Sequence, residues 1–230
     1  MFIVGDVLCS KYEYVITKLL CNTGIDFSDG ATQETLENND KVVERLSEEG
    51  IVMLKNDNGT LPLAEKENKI NLFGWSAHDG AFLLTGGGSA VATINADKKV
   101  TLAAGLKSEG FEVNETLLAD YAAYCGSRWK DSTGLYDPPL SFYEKKGSDG
   151  KTRLEYAKEF SSVAVVVFSR WGSEGLDLPL KQTKYVDGNK TEDKTRTYLD
   201  LSKEEEDMLN MVADNFAKVI VIVNSGNTMN

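Results

Sequence analysis

The chain has 230 residues, and its 36 acidic against 25 basic side chains leave a formal net charge of −11. The acid excess is spread along the sequence, which excludes the clustered basic face that binds a nucleic-acid backbone or an anionic membrane surface. The 3 cysteines form no CxxC motif and there is 1 histidine, so we expect free thiols in a reducing compartment and neither a metal nor another cofactor.

Residues 1–34 are interpreted as an N-terminal extension of open role. The first residues are apolar, but they lack a basic segment and are interrupted by Asp6, which argues against a signal peptide. The sequence has no stretch of about 18 apolar residues that could span a membrane. We therefore expect a cytoplasmic protein.

A single domain is predicted from residue 35 to residue 230. Apolar residues at helical spacing between 36 and 46 predict an amphipathic helix that ends at Gly50. The apolar run at residues 51–54 predicts a buried extended segment after that helix. Residues 58–59, Asn-Gly, predict a turn.

Strands alternate with helices over the rest of the domain, and a capping box at residues 202–205 (Ser-Lys-Glu-Glu) begins one of the helices. The predicted strands are 69–74, 111–114, 163–168 and 219–223, and the predicted helices are 101–110, 115–124 and the one that begins at the capping box. This alternation predicts an α/β fold: a three-layer αβα sandwich with a mainly parallel sheet. The two uninterrupted apolar strands, 163–168 and 219–223, are expected at its centre, and residues 126–152 as a long surface excursion.

In such sheets, ligands bind in loops beyond the carboxyl ends of the strands. The loop after residue 168 carries Glu174 between the small residues Ser173 and Gly175. A carboxyl held there beside Trp171 and away from water would have a raised pKa, as a general acid requires. The alternative is a polar loop that a pair between Arg170 and Asp177 holds closed.

The small-residue loop at 85–89 follows the first predicted strand. Its amides could cradle a phosphate, but the spacing matches neither GxGxxG nor a P-loop, so a nucleotide-binding protein is the weakest alternative. Two other roles for this loop are possible from the sequence: a flexible turn, or a loop whose glycines let a sugar hydroxyl approach the backbone. His78, alone in a loop, is expected to make local hydrogen bonds.

Four separated segments carry a family resemblance; they are residues 48–56 with 61–63, 86–89, 170–177 and 219–227. In this order and spacing they resemble the α/β sandwich domain of glycoside hydrolase family 3, the β-glucosidase family. The resemblance implies a retaining exo-β-glycosidase that acts on terminal β-linked sugars of a glucoside or oligosaccharide. In that family a TIM-like barrel supplies the Asp nucleophile, and the sandwich domain contributes a Glu to the same pocket as acid/base.

The resemblance assigns roles residue by residue. Glu174 matches the acid/base position, and Ser89 with Gly87 and Gly88 matches a segment that lines the pocket near the terminal sugar. Arg170 and Asp177 are expected to support the Glu174 loop.

Two departures from the family pattern bear on this assignment. The family usually has Ser then Gly before the Glu, whereas this chain has Gly172 and then Ser173. The 230 residues also contain no nucleophile motif and no barrel pattern. We therefore expect the leading part of an enzyme with reversed domain order, its sandwich incomplete at the C-terminal end, inactive without the missing barrel. The competing hypothesis is a non-catalytic carbohydrate-binding or scaffolding α/β module.

Overall fold

The computed structural model describes residues 30–84, 87–88, 99–126 and 133–230. Ser89 and most of the predicted extension at 1–34 lie outside the described residues. The chain divides into two compact units, Met1–Asn56 and Asp57–Asn230. The predicted boundary at residue 35 stays a prediction.

The described residues form six strands, six α-helices and two short 3-10 helices, Asp57–Gly59 and Trp75–Ala77. The strands are β1 (Lys69–Phe73), β2 (Glu112–Val113), β3 (Val163–Arg170), β4 (Gln182–Val186), β5 (Asn189–Asp193) and β6 (Lys218–Ser225). The helices are α1 (Gly30–Gly50), α2 (Leu102–Ser108), α3 (Glu115–Cys125), α4 (Leu140–Glu144), α5 (Arg153–Phe160) and α6 (Lys203–Asn215). Among the described residues, no helix is long and apolar enough to cross a membrane.

In the first unit, α1 ends at Gly50 as predicted. The prediction of a buried segment at 51–54 is wrong, because Ile51 is 79% exposed and Leu54 is 87% exposed. The described part of this unit contains one helix. A single helix provides no second layer of structure against which the apolar residues 51–54 could be buried.

In the second unit, four parallel strands form a sheet in the order β2-β1-β3-β6, which confirms the predicted α/β fold with a mainly parallel sheet. The chain passes from β1 outward to β2 and then returns to the other side of β1 with β3. The strand order therefore reverses between β1 and β3, the place where open parallel sheets bind ligands.

The two apolar strands differ in position. Every residue of β3 is buried, as expected for a central strand. The prediction that residues 219–223 are also central is wrong, since β6 lies at the edge of the described sheet, with Val221 46% and Val223 50% exposed. A run of apolar residues indicates burial, but the number of neighbouring strands decides how complete that burial is.

Helices cover both faces of the sheet and so complete the three layers. On one face, Phe73 and Phe168 pack with Tyr121 of α3 and Met208 of α6. Leu72 and the other alternate strand residues face the opposite side, where α2 contributes its buried surface. Side-chain caps begin four of the helices, including the predicted capping box of α6; the caps are Thr101, Asn114, Thr152 and Ser202.

The predicted surface excursion at 126–152 is wrong for part of its described length. Residues 134–138 are buried, as are Phe142 and Tyr143 of α4, and these aromatic side chains join the core beside α3. Among the described residues of this stretch, the exposed turn that the glycines predicted is confined to residues 145–151. The glycines and prolines correctly predicted an irregular backbone in this stretch. The aromatic residues between them determine that part of it packs into the core.

An antiparallel hairpin formed by β4 and β5 was not predicted from the sequence. Its turn is Asp187-Gly188, with φ of 49° and 76°, and an Asp-Gly pair is a strong hairpin signal. Tyr185 of this hairpin stacks on Tyr136 at 4.4 Å between ring centroids, which attaches the hairpin to the core.

Candidate functional site

The loops that follow β1, β3 and β6 enclose a cleft of about 460 Å³ at the carboxyl edge of the sheet. Leu84 and Gly87 come from the first loop, Glu174 from the second and Asn227 from the third. The cleft lies at the reversal point between β1 and β3. Strand order alone would direct a search for a ligand site to this edge.

Backbone hydrogen bonds join the glycine loop to the Glu174 loop. The amide of Gly87 donates to the carbonyl of Gly172 at 3.0 Å, and the amide of Glu174 donates to the carbonyl of Gly87 at 3.3 Å. Gly87 and Ser173 form a parallel bridge. Because the Gly87 amide is already used within the chain, it is not available to cradle a phosphate.

Glycine is required at both described positions of this loop. Gly88 has a φ of 113°, and a Cβ added there would lie 2.5 Å from Glu174 Cβ. A Cβ on Gly87 would overlap the ring of Trp171 and lie 2.6 Å from Ser173 Oγ. The glycines therefore allow close approach of this loop to the Glu174 loop, and the predicted approach of a sugar hydroxyl to its backbone stays a prediction.

Glu174 itself lies exposed at the rim of the cleft, between a half-buried Ser173 and a Gly175 with φ of 72°. The expectation that its carboxyl is held away from water is wrong for the described chain. Trp171, which was expected to shield it, turns its ring toward Gly87 instead. Exposed apolar side chains follow on the same loop, with Leu176 60% and Leu180 87% exposed.

The predicted pair between Arg170 and Asp177 is wrong. Arg170 is fully buried and makes a bidentate ion pair with Glu205 of α6, with nitrogen–oxygen distances of 2.8 and 2.6 Å. Its other hydrogen bonds go to the carbonyls of Ser169, Tyr198 and Asp200. These contacts occupy all five N–H groups of the guanidinium.

Asp177 is exposed, and its predicted loop-supporting role stays a prediction. Burial works against the charge on Arg170, but hydrogen bonding to Glu205 and its opposite charge outweigh burial and raise the pKa of Arg170. Arg170 therefore anchors the start of the Glu174 loop to helix α6.

The segment after β6 contributes to the cleft, although its residues were not predicted as site residues. Asn224 donates to the carbonyl of Leu83 at 2.8 Å, which links the loops after β6 and β1. Ser225 and Asn227 hydrogen-bond to each other across their turn. Their position directly after a parallel strand was the available signal.

His78 makes one local hydrogen bond, as predicted, and a second one to a residue 48 positions along the chain. Its Nδ1 accepts from the amide of Gly80 at 3.1 Å, so Nε2 carries the proton and donates to the carbonyl of Gly126 at 3.1 Å. Within the described parts of the chain, no group of three or more His, Cys, Asp or Glu side chains could hold a metal ion.

The comparison with protein families gives one match over most of the chain. The model of the glycosyl hydrolase family 3 C-terminal domain matches residues 51–230. The chain belongs to this family. The family 3 assignment expected from the four sequence segments is thereby confirmed.

Curated relatives and solved structures agree with this membership. β-Glucosidase A of Butyrivibrio fibrisolvens is 26% identical over 188 residues, covering 77% of this chain and 21% of that protein. A β-glucosidase of Ruminococcus albus is 29% identical over 180 residues, covering 78% of this chain and 17% of that protein. This chain thus spans about a fifth of the length of the curated relatives it matches.

Among solved structures, β-glucosidase 3B of Thermotoga neapolitana in complex with glucose matches with a TM-score of 0.57 and 24% identity, over 85% of this chain and 25% of that one. A β-glucosidase from Paenibacillus barengoltzii matches with a TM-score of 0.53 and 24% identity, over 78% of this chain and 17% of that one. At this identity, both structures support the fold.

Proposed function

We propose that this family 3 domain supplies Glu174 as the acid/base of a retaining exo-β-glycosidase that removes terminal β-linked sugars, such as those of β-glucosides. The observation that carries the proposal is the close fit between the glycine loop and the Glu174 loop, where Gly88 leaves room for Glu174 only because it lacks a Cβ. This fit presents a carboxyl at the rim of a cleft beyond the sheet's carboxyl edge. Both curated relatives are β-glucosidases.

In the proposed reaction, a carboxylate nucleophile attacks the anomeric carbon of the terminal sugar and forms a covalent glycosyl-enzyme. Glu174 donates its proton to the leaving glycosidic oxygen as that bond breaks. Water then attacks the anomeric carbon, Glu174 takes a proton from it, and the nucleophile is released. Retention in this scheme requires two carboxyl groups about 5 Å apart.

The nucleophile is proposed to come from a TIM-like barrel domain that works with this one. Two features support a second domain: the curated relatives are several times longer than this chain, and Glu174 is exposed beside the exposed Leu176 and Leu180. A barrel seated on this rim would cover the cleft and exclude water from the reacting sugar. Without it, the acid has no reaction to assist.

The acid/base role is tested by Glu174→Gln in the enzyme that combines this domain with its barrel. We expect a large loss of kcat/KM with substrates whose leaving group needs protonation and a small loss of kcat/KM with dinitrophenyl β-glucoside, whose leaving group does not. Azide should restore turnover by replacing the activated water in Glu174→Ala. The control is Glu192→Gln, an exposed carboxylate on β5. Equal losses of kcat/KM with both kinds of leaving group would refute the acid/base role.

The requirement for a second domain is tested with the purified 230-residue chain. We expect no hydrolysis of p-nitrophenyl β-glucoside by the chain alone. Hydrolysis by the chain that Glu174→Gln abolishes would contradict this expectation, because the chain would then hold a complete active site.

The exposed position of Glu174 also favours a second candidate, a non-catalytic carbohydrate-binding or scaffolding module. In that case Glu174 only helps to close its loop. Glucose binding by the combined protein, measured by titration calorimetry and unaccompanied by hydrolysis, would support this candidate. Turnover that depends on Glu174 would exclude it.

A cytoplasmic location is proposed as well. It is supported by Cys125, which the structure holds as a free, buried thiol. Cell fractionation with an antibody against the protein would test the location directly.

A further inference from the structure

We propose that Tyr198 is a positioning residue for Glu174, holding the acid/base loop in place through the backbone of Trp171. This inference rests on the proposed function for its catalytic consequence. Tyr198 comes from the segment between the β4–β5 hairpin and helix α6, far in sequence from the cleft loops. Its side chain is 1% exposed.

The Tyr198 hydroxyl makes two hydrogen bonds to a single residue. It accepts from the amide of Trp171 at 2.8 Å and donates to the carbonyl of Trp171 at 3.1 Å. One buried hydroxyl thus fixes both polar groups of the backbone three residues before Glu174. Holding both groups restricts rotation of this stretch more than a single bond would.

Tyr198 is itself held rigidly from the opposite side. Nε of Arg170 donates to the Tyr198 carbonyl at 2.6 Å, and the Arg170 guanidinium lies 5.7 Å from the centre of the Tyr198 ring. Gln182 of β4 donates to the neighbouring carbonyls of Thr197 and Asp200 at 2.9 and 2.8 Å. Residues 197–200 are therefore held by Arg170 of β3, which itself pairs with α6, and by Gln182 of β4. These contacts keep the Tyr198 hydroxyl in one position.

The restraint passes from Trp171 to Glu174 by direct contact. The ring of Trp171 fills the space that a Cβ on Gly87 would need, so the position of Trp171 fixes that of Gly87. Gly87 in turn accepts a hydrogen bond from the Glu174 amide at 3.3 Å. Removing the hydroxyl would free the Trp171 backbone and let the Glu174 carboxyl move away from the leaving oxygen.

The test is Tyr198→Phe in the enzyme that combines this domain with its barrel, assayed with leaving groups that do and do not need protonation. We expect kcat/KM to fall roughly 10- to 100-fold for the substrates that need protonation, because a misplacement of about 1 Å can cost that much. We expect kcat/KM for dinitrophenyl β-glucoside to change little, because its leaving group departs without a proton from Glu174. A general loss of folded protein would lower both activities equally.

Tyr124→Phe is the matched control. The Tyr124 hydroxyl also makes two hydrogen bonds to one residue, donating to the Asp187 carboxylate at 2.7 Å and accepting from the Asp187 amide at 3.1 Å. That residue lies in the hairpin turn, away from the cleft. We expect Tyr124→Phe to leave both activities unchanged.

A second measurement uses the 230-residue chain and needs no activity. Tyr198→Phe should speed amide hydrogen exchange of Trp171 and Glu174 by about tenfold or more, while the amide of Val165 in the centre of β3 keeps its rate. Unchanged exchange at Trp171 would overturn the proposal whatever the activities are. This measurement also identifies a variant that has lost its fold, because Val165 would then exchange faster too.

The outcomes separate this inference from the proposed function. If Glu174→Gln produces the leaving-group difference and Tyr198→Phe does not, the positioning role is wrong and the acid/base role stands. A second outcome is faster amide exchange in Tyr198→Phe while neither Glu174→Gln nor Tyr198→Phe loses more kcat/KM with leaving groups that need protonation than with dinitrophenyl β-glucoside. In that case the acid/base role fails and the loop restraint is confirmed. Faster exchange together with the difference in both variants supports the whole proposal.

Discussion

Replacing Glu205 with alanine is expected to cost the second compact unit about 3 to 5 kcal/mol of unfolding free energy. Arg170 and Glu205 are 0% and 1% exposed in their side chains, and two hydrogen bonds of 2.8 and 2.6 Å join them. The substitution leaves the Arg170 charge buried with two N–H groups unsatisfied. It also removes the capping box with Ser202 that begins α6.

The loss is measured by urea unfolding of the chain, followed by circular dichroism, and as a fall in Tm. At about 2 to 4 °C per kcal/mol for a unit of this size, we expect Tm to fall by roughly 6 to 20 °C. Replacing both partners with apolar residues of similar volume, Arg170→Met with Glu205→Leu, should recover part of the loss, because no buried charge is then left unpaired.

Glu206→Ala provides the matched control from the next residue of α6. Glu206 also pairs with an arginine, Arg196, at 2.6 Å, but the two side chains are 47% and 29% exposed. An ion pair at that exposure contributes less than about 1 kcal/mol. Similar small losses for Glu205→Ala and Glu206→Ala would refute the reasoning, since burial is the difference between them.

Three further predictions concern single groups. Hydrogen bonds from the Asn230 side chain and from Thr197 lower the pKa of Asp200 from 3.8, so above pH 3.8 the Tm of the wild type should exceed that of Asp200→Asn. The difference should vanish as the pH falls through the lowered pKa, because the unfolded state is protonated first. Burial raises the pKa of the Cys125 thiol, so a chain with serine at the other two cysteines should react with a disulfide reagent only after unfolding. Gly88→Ala should lower kcat for leaving groups that need protonation, because its Cβ would lie 2.5 Å from Glu174 Cβ; Gly150→Ala, at a φ of 85° with open space, should not.

The sequence by itself determined the local structure and the type of fold. β-Branched runs, side-chain caps and the spacing of apolar residues depend on neighbours within one element, and they placed β1, β3, α3 and the start of α6 correctly. The alternation of strands with helices then required parallel crossovers. The position of Glu174 beyond a buried strand followed from the same local pattern.

Only the tertiary structure decided which partners these elements meet. Arg170 was expected to pair with Asp177, seven residues away, but the sheet brings it to Glu205, thirty-five residues along the chain. The segment at 134–138 is irregular yet buried, because its aromatic residues meet a core that other helices build. A buried charge selects the partner that satisfies it best in three dimensions, and sequence distance carries little information about that choice. For the same reason, Tyr198 showed no signal in the sequence, since its contacts with Trp171 depend on the packing of the segment before α6 against the sheet.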